Sequence, residues 1–242
     1  MRKKKEESAL KQYDMMFCGH ICLDLVPRFP QTGPRKLSQV FIPGKLVEVG
    51  AVDVTLGGSV SNSGAAAARL GFRTCIQAKV GRDEFGGLVR SLIQKAGVTE
   101  NLIEGEGSTS YSVVLSVPGN DRIFLHNTGA NDTFGYDDVQ FDKVADCRLF
   151  HFGYPPLMKR MYQEPEQLQA ILKEAKRRGA VTSLDMALPD PDSKAGKANW
   201  VDILGKILPF VDIYIPSFEE TLLMLDQARY EELRAEAGDR DI

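Results

Sequence analysis

Apolar, β-prone runs alternate along the chain with helical patterns, and the alternation predicts a mainly parallel sheet covered by helices on both faces. Strands are expected near 15–24, 73–79, 148–154, 180–186 and 211–215. Between them, helical spacing of the apolar residues predicts helices over 62–70, 84–96, 165–178, about 198–208 and 217–227. Gly97 and Gly179 stand just past the last periodic positions as C-cap signals, and Pro165 suits a first helical turn. Two regions break this rhythm. Residues 26–56 are rich in proline and glycine with short β-prone pieces, while 111–117 and 122–126 flank Pro118-Gly119-Asn120-Asp121 and predict a hairpin. Read plainly, both are extra sheet edges that need cover.

Composition narrows the class. At 242 residues and 43% hydrophobic content, the chain can bury the core of one sizeable α/β domain. A net charge of −3 offers no basic surplus for nucleic acid. The run Arg2-Lys3-Lys4-Lys5-Glu6-Glu7 predicts a solvated tail over 1–14, and the stretch after it is interrupted by Gly19, His20 and Asp24, unlike a signal h-region or a membrane span. Four cysteines without a secretory segment predict reduced thiols and a cytoplasmic location. If 15–26 is one strand, Cys18, His20 and Cys22 share a face. A metal site there lacks a fourth ligand, and a buried first strand explains the three residues equally well.

The most informative run is Gly57-Gly58-Ser59-Val60-Ser61-Asn62. Adjacent glycines permit positive φ and close approach to a ligand, and Asn62 is expected to cap the helix that Ala65 to Ala68 propagate. Backbone N–H groups at such a turn suit a polyhydroxylated or anionic ligand. Any tight strand-to-helix turn favours glycine and asparagine, so specificity comes from spacing. Three residues separate Gly58 from Asn62, eight lead on to Gly71, nine to Gly81 and four to Gly86, with Ala96-Gly97-Val98 closing the next helix. Over 57–98 the chain resembles the first signature of the ribokinase-like (PfkB) carbohydrate kinases, and the resemblance runs over most of the sequence from Met16 onward.

That resemblance implies a ribokinase-like α/β fold with a small β lid, built from about 26–56 and 108–128, that covers a sugar and often pairs with the lid of a second subunit. It implies an ATP- and Mg²⁺-dependent kinase acting on a hydroxyl of a small sugar or nucleoside, with no nucleic-acid or membrane partner. Gly19-His20-Ile21-Cys22-Leu23-Asp24 resembles the family's opening strand, which ends in an aspartate that hydrogen-bonds sugar hydroxyls. A carboxylate at a strand's C-terminal end is also where an open α/β sheet puts its ligand. Expected sugar contacts are Asp24, Gly57, Gly58 and Asn62, with Arg122 and Asn131 resembling the lid return. Ser183-Leu184-Asp185 resembles the strand leading to an Asp-x-Asn segment near the phosphates, although Ala187 stands where that asparagine would be. Ser217 to Glu220 resembles an Asn-x-x-Glu motif whose glutamate organises Mg²⁺ and phosphates through water; Glu220 matches and Ser217 replaces the asparagine. Ser-x-x-Glu is equally a capping box, and the two roles are compatible.

One departure stands out. The family's second signature, Asp-Thr-x-Gly-Ala-Gly-Asp, whose glycine N–H groups stabilise the transferring phosphoryl group and whose last aspartate is the base, does not occur in these 242 residues. No Gly-x-x-x-x-Gly-Lys-Ser/Thr run replaces it. The expectation is therefore an incomplete ribokinase-like domain over 15–242, with an exposed apolar sheet edge, that is inactive alone. The alternative is a non-catalytic sugar-binding or dimerisation module of the same fold. A dinucleotide-binding oxidoreductase is disfavoured, because no Gly-x-Gly-x-x-Gly turn follows the first strand.

Overall fold

The structure, a computed structural model, describes residues 11–30, 33 and 36–237. Its strands are β1 (Tyr13–Gly19), β2 (Cys22–Pro27), β3 (Val52–Gly57), β4 (Thr74–Gly81), β5 (Thr99–Gly105), β6 (Tyr111–Leu115), β7 (Ile123–Asn127), β8 (Cys147–Gly153), β9 (Val181–Asp185) and β10 (Ile213–Tyr214). The α-helices are α1 (Leu37–Val40), α2 (Ser59–Arg69), α3 (Glu84–Lys95), α4 (Phe141–Ala145), α5 (Lys159–Gln163), α6 (Pro165–Arg177), α7 (Trp200–Ile207), α8 (Phe218–Leu225) and α9 (Gln227–Ala237).

Six strands form a parallel sheet in the order β10-β9-β8-β1-β4-β5, and four form a second sheet, β3-β2-β6-β7. Alternation along β1 divides the core. Met16 and Cys18 join Phe150, Phe152 and residues of α6 and α7, whereas Phe17 joins Ile76, Val60 of α2 and Val89 and Ile93 of α3 on the other face. Helices thus cover both faces of the parallel sheet, matching the expected α/β class.

The run read as one strand over 15–24 is two strands in different sheets. Gly19 adopts φ 124°, and a Cβ there would lie 2.4 Å from the Gly153 carbonyl oxygen, so only glycine lets the chain leave β1 beside the end of β8. Cys18 and Cys22 consequently belong to different sheets and share no face. The expected tail over 1–14 is shortened too, because Tyr13 and Asp14 open β1; residues 1–10 and 238–242 lie outside the described residues.

Other boundaries shift for local reasons. Strand β5 was not legible in the pattern, since its charged Glu100 and Glu104 face Arg90 across the sheet edge. The helix expected over 217–227 ends at Leu225, with Asp226 leaving helical geometry at φ −150° and ψ 75° before α9. At the opposite edge β10 pairs with β9, leaving Ile213, Ile215 and Phe218 exposed. All four cysteines are buried free thiols. Among the described residues, no helix is long and apolar enough to cross a membrane.

Candidate functional site

In the parallel sheet the chain builds β4 and β5 on one side of β1 and β8, β9 and β10 on the other, so the strand order reverses between β1 and β8. A ligand crevice is expected outside the carboxyl ends of the strands at such a switch point. His20 follows β1 there and Tyr154 follows β8, and both line a cleft of about 680 Å³. The second sheet forms the opposite wall. Cys22 and Asp24 alternate on one face of β2, Ser112 lies opposite Asp24 on β6, and Arg122, Phe124 and His126 project from β7 and its entry.

Asp24 lies in the middle of β2 rather than at the end of a core strand. Its carboxyl is half-buried, and burial pushes its pKa up, with Ser112 and Cys22 hydrogen-bonding it in opposition. Directly behind it sits Gly57, whose place in the next strand is dictated by space: a Cβ there would lie 2.3 Å from Asp24 Oδ1. Gly57 therefore makes room for the carboxyl instead of lining the cleft. Gly58 caps α2 at φ 88° and ψ 158°, and a Cβ there would lie 2.7 Å from the His20 carbonyl oxygen. Asn62 is not the cap. Helix α2 begins at Ser59, the Asn62 amide donates to the Gly58 carbonyl at 3.1 Å, and the Asn62 side chain is exposed on the cleft.

The rest of the glycine signature serves architecture. Asp83 accepts from the amides of Gly86 (2.9 Å) and Thr109 (2.7 Å), tying the start of α3 to the crossover between β5 and β6. A Cβ on Gly81 would meet the Gly107 carbonyl oxygen at 2.5 Å. Asn131 belongs to the same frame. Fully buried, it donates to the Ile21 carbonyl at 2.9 Å and to the Thr128 carbonyl at 3.1 Å, and accepts from the Ile21 amide at 3.4 Å. It clamps the chain where it passes between the two sheets and does not line the cleft. Arg122 does line it, with its guanidinium 5.5 Å from the Phe124 ring centroid.

Asp185, the last residue of β9, and Glu220, in α8 beyond β10, do not line this cleft. Asp185 is half-buried and accepts from Ser59 Oγ at 3.1 Å and from the Met186 amide at 2.9 Å. Burial pushes its carboxyl up, and the negative Glu220 nearby adds to the shift. Ser59 Oγ also lies 3.4 Å from His151 Nε2, and His151 Nδ1 lies 3.0 Å from Ser183 Oγ, a buried polar relay across β8 and β9. Burial lowers His151 to about 4. Glu220 and Ser217 form the anticipated capping box: the Ser217 amide donates to Glu220 Oε2 at 2.7 Å, and the Glu220 amide to Ser217 Oγ at 3.1 Å.

Sequence reasoning missed several cleft residues, including Ser112, His126, Asp132, Tyr154 and Asp190. Tyr154 carried a signal of its own. It precedes Pro155-Pro156, and it is the one non-glycine residue with positive φ (61°) among the described residues, a strained position of the kind that clusters at ligand sites.

Comparison with known proteins decides the lineage. A family model described as pfkB family carbohydrate kinase matches residues 16–239. The chain belongs to the pfkB family of carbohydrate kinases. Among relatives in that family, an uncharacterized sugar kinase from Archaeoglobus fulgidus is 32% identical over 160 residues, covering 66% of this chain and 60% of the relative. Probable fructokinase-3 from Arabidopsis thaliana is 27% identical over 139 residues, covering 56% of this chain and 40% of the relative. The chain thus spans 40% and 60% of the length of these two curated relatives. A probable sugar kinase from Rhizobium etli superposes with a TM-score of 0.69 at 20% identity, covering 95% of this chain and 72% of that one. A fructokinase with bound ATP from Xylella fastidiosa gives 0.67 at 19%, with 92% and 68% covered. These likenesses fix the ribokinase-like fold of this pfkB chain.

Proposed function

We propose that the chain is the sugar-binding and lid-forming part of an ATP-dependent sugar kinase. The observation that carries this reading is the Asp24 carboxyl, half-buried on the wall of the cleft and backed by Gly57, where an acceptor can hydrogen-bond a hydroxyl out of bulk water. Asn62 and Gly58 present polar groups from the start of α2, and Arg122 stands at the lid edge. The lid sheet and Tyr154 enclose the sugar between them, which orients it and restricts water.

The nucleotide side is proposed at Asp185 and Glu220. Two carboxylates close enough for one to raise the other suit a hard cation that relieves their repulsion, so these residues fit Mg²⁺ with the phosphates of ATP. Held there, Mg-ATP would supply the phosphoryl group, with Mg²⁺ offsetting the charge of its phosphates. This chain's own residues hold Asp185 through Ser59 and fix Glu220 through Ser217. Since residues 1–242 contain no Asp-Thr-x-Gly-Ala-Gly-Asp stretch, the chain is proposed to bind sugar without turnover.

A lid-mediated homodimer is part of the proposal. Leu25, Val113 and Leu125 fall in one register row on the lid face turned away from Asp24, and Leu125 at its outer end is 56% exposed. Buried free thiols support a cytoplasmic location. The test is a thermal-shift panel of pentoses, hexoses and nucleosides with an ADP-release assay. At least one is expected to raise Tm in the wild type and not in Asp24→Asn. Sustained sugar-dependent ADP release would overturn the inactivity, and no response to any of them would overturn sugar binding.

A further inference from the structure

We propose that His20, Cys22 and His126, with Asp24 as fourth donor, form a site for one Zn²⁺-class transition-metal ion in the cleft, and that metal and sugar exclude one another there. One ligand atom from each of the first three residues lies within 4.8 Å of the others. Around a tetrahedral ion with Zn–N and Zn–S bonds of ordinary length, donor atoms sit about 3.5 Å apart. Closure therefore asks for shifts of about an ångström, within reach of side-chain rotation. Asp24 Oδ1 is 3.5 Å from Cys22 Sγ but lies outside that 4.8 Å group, so joining as fourth donor asks for a further rotation of its side chain.

Three features make this a built cluster. First, the backbone register delivers it. Cys22 and Asp24 share a face of β2, Asp24 is opposite Ser112 on β6, and Ser112 is opposite His126 on β7. His20 enters from the glycine-bent connection after β1, its ring 5.1 Å from that of His126. Second, His20 is 1% exposed and its Nδ1 has no hydrogen-bond partner among the described residues, a cost that a ligand removes. Third, Ser112 Oγ lies 3.0 Å from His126 Nδ1 and 3.9 Å from Cys22 Sγ, a hydroxyl placed to hydrogen-bond a ligating ring or thiolate.

The donor set chooses the ion. Two imidazoles and a thiol favour Zn²⁺ or a similar borderline-soft cation, whereas Mg²⁺ prefers the oxygen donors on the nucleotide side. Binding displaces the Cys22 proton to solvent and makes the Zn–S bond, with no change of oxidation state. Only the exclusion of sugar rests on the proposed sugar role of Asp24; the metal site does not.

The experiment is titration of the full chain with Co²⁺ as a spectroscopic substitute, followed by displacement with Zn²⁺. One Co²⁺ per chain is expected, with intense tetrahedral d–d absorption and a thiolate-to-cobalt charge-transfer band. Cys22→Ser should abolish the band and weaken binding at least about 10- to 100-fold, the cost of disturbing even a supporting group. Cys18→Ala should retain it. His126→Gln, on the outer strand, should weaken binding while keeping the band, and it decides the question if Cys22→Ser does not fold. Octahedral cobalt without a sulfur band, a band that survives Cys22→Ser, or His126→Gln binding as the wild type does would overturn the site. A sugar that raises Tm should also release Co²⁺; sugar binding beside an undiminished band would overturn the exclusion. Cobalt binding with no sugar binding would leave the metal site standing and refute the sugar reading instead.

Discussion

Replacing Gly58 by alanine isolates the backbone requirement at the start of α2. At φ 88° and ψ 158° the residue occupies a region that is essentially glycine-only, where another residue costs about 1–3 kcal/mol. Space adds a second penalty. The new Cβ would lie 2.7 Å from the His20 carbonyl oxygen, 2.8 Å from His20 Nδ1 and 3.0 Å from the Ile21 Cα. Two of these are backbone atoms held by the Asn131 clamp, so relief means moving the crossover, at a further cost on the order of 1–3 kcal/mol. A total of about 2–6 kcal/mol lowers Tm by about 4–24 °C in a chain of this size. Gly87→Ala supplies the opposite sign. Gly87 lies inside α3 with nothing within 4 Å of its virtual Cβ, so alanine should stabilise by about 0.5–1 kcal/mol. Urea unfolding followed through the single tryptophan, Trp200, which is buried in the core, reads both. A Gly58→Ala midpoint within error of the wild type, or equal losses at the two positions, would refute the reasoning.

Further outcomes follow from neighbouring groups. Asn131→Ala should cost about 2–3 kcal/mol, because it strands the Ile21 amide and carbonyl in the interior; unchanged stability in urea would contradict the clamp. Protonation of His151 gives a pH dependence. Its folded pKa of about 4 lies below the ordinary 6.5, so the unfolded chain binds the proton first and stability falls as pH drops from 6.5 toward 4. By pH 5 this amounts to about 2 kcal/mol, and His151→Gln should remove that component; identical slopes in the two proteins would contradict it. Leu125→Asp should shift the chain toward monomer in sedimentation velocity if the exposed lid face joins two copies, and an unchanged distribution would exclude that face.

The architecture was legible where periodicity and punctuation agreed. Pro165 and Gly179 bracket α6, and the turn Pro118-Gly119-Asn120-Asp121 separates β6 from β7. It was hidden where one apolar run serves two sheets. From Met15 to Val26 the side chains stay mainly apolar, so hydrophobic pattern alone does not register the φ of 124° at Gly19 that sends the chain from one sheet to the other. The same blindness displaced the site. Of the residues that the family resemblance named for the sugar, Asp24, Gly58, Asn62 and Arg122 line one cleft, whereas Gly57 leaves space for the Asp24 carboxyl and Asn131 makes backbone hydrogen bonds inside the frame. His126 and Ser112 join Asp24 only through strand register, a long-range relation that single-sequence spacing does not carry.

Calorimetric titration of the chain with the sugar or nucleoside that most raises its Tm, repeated on Asp24→Asn, tests the central claim most directly. One ligand per chain is predicted, with affinity falling at least about tenfold in the variant as a charge-assisted hydrogen bond is lost. Binding of equal strength to Asp24→Asn, with the fold of both proteins intact, would contradict the assignment of this cleft wall as the sugar site.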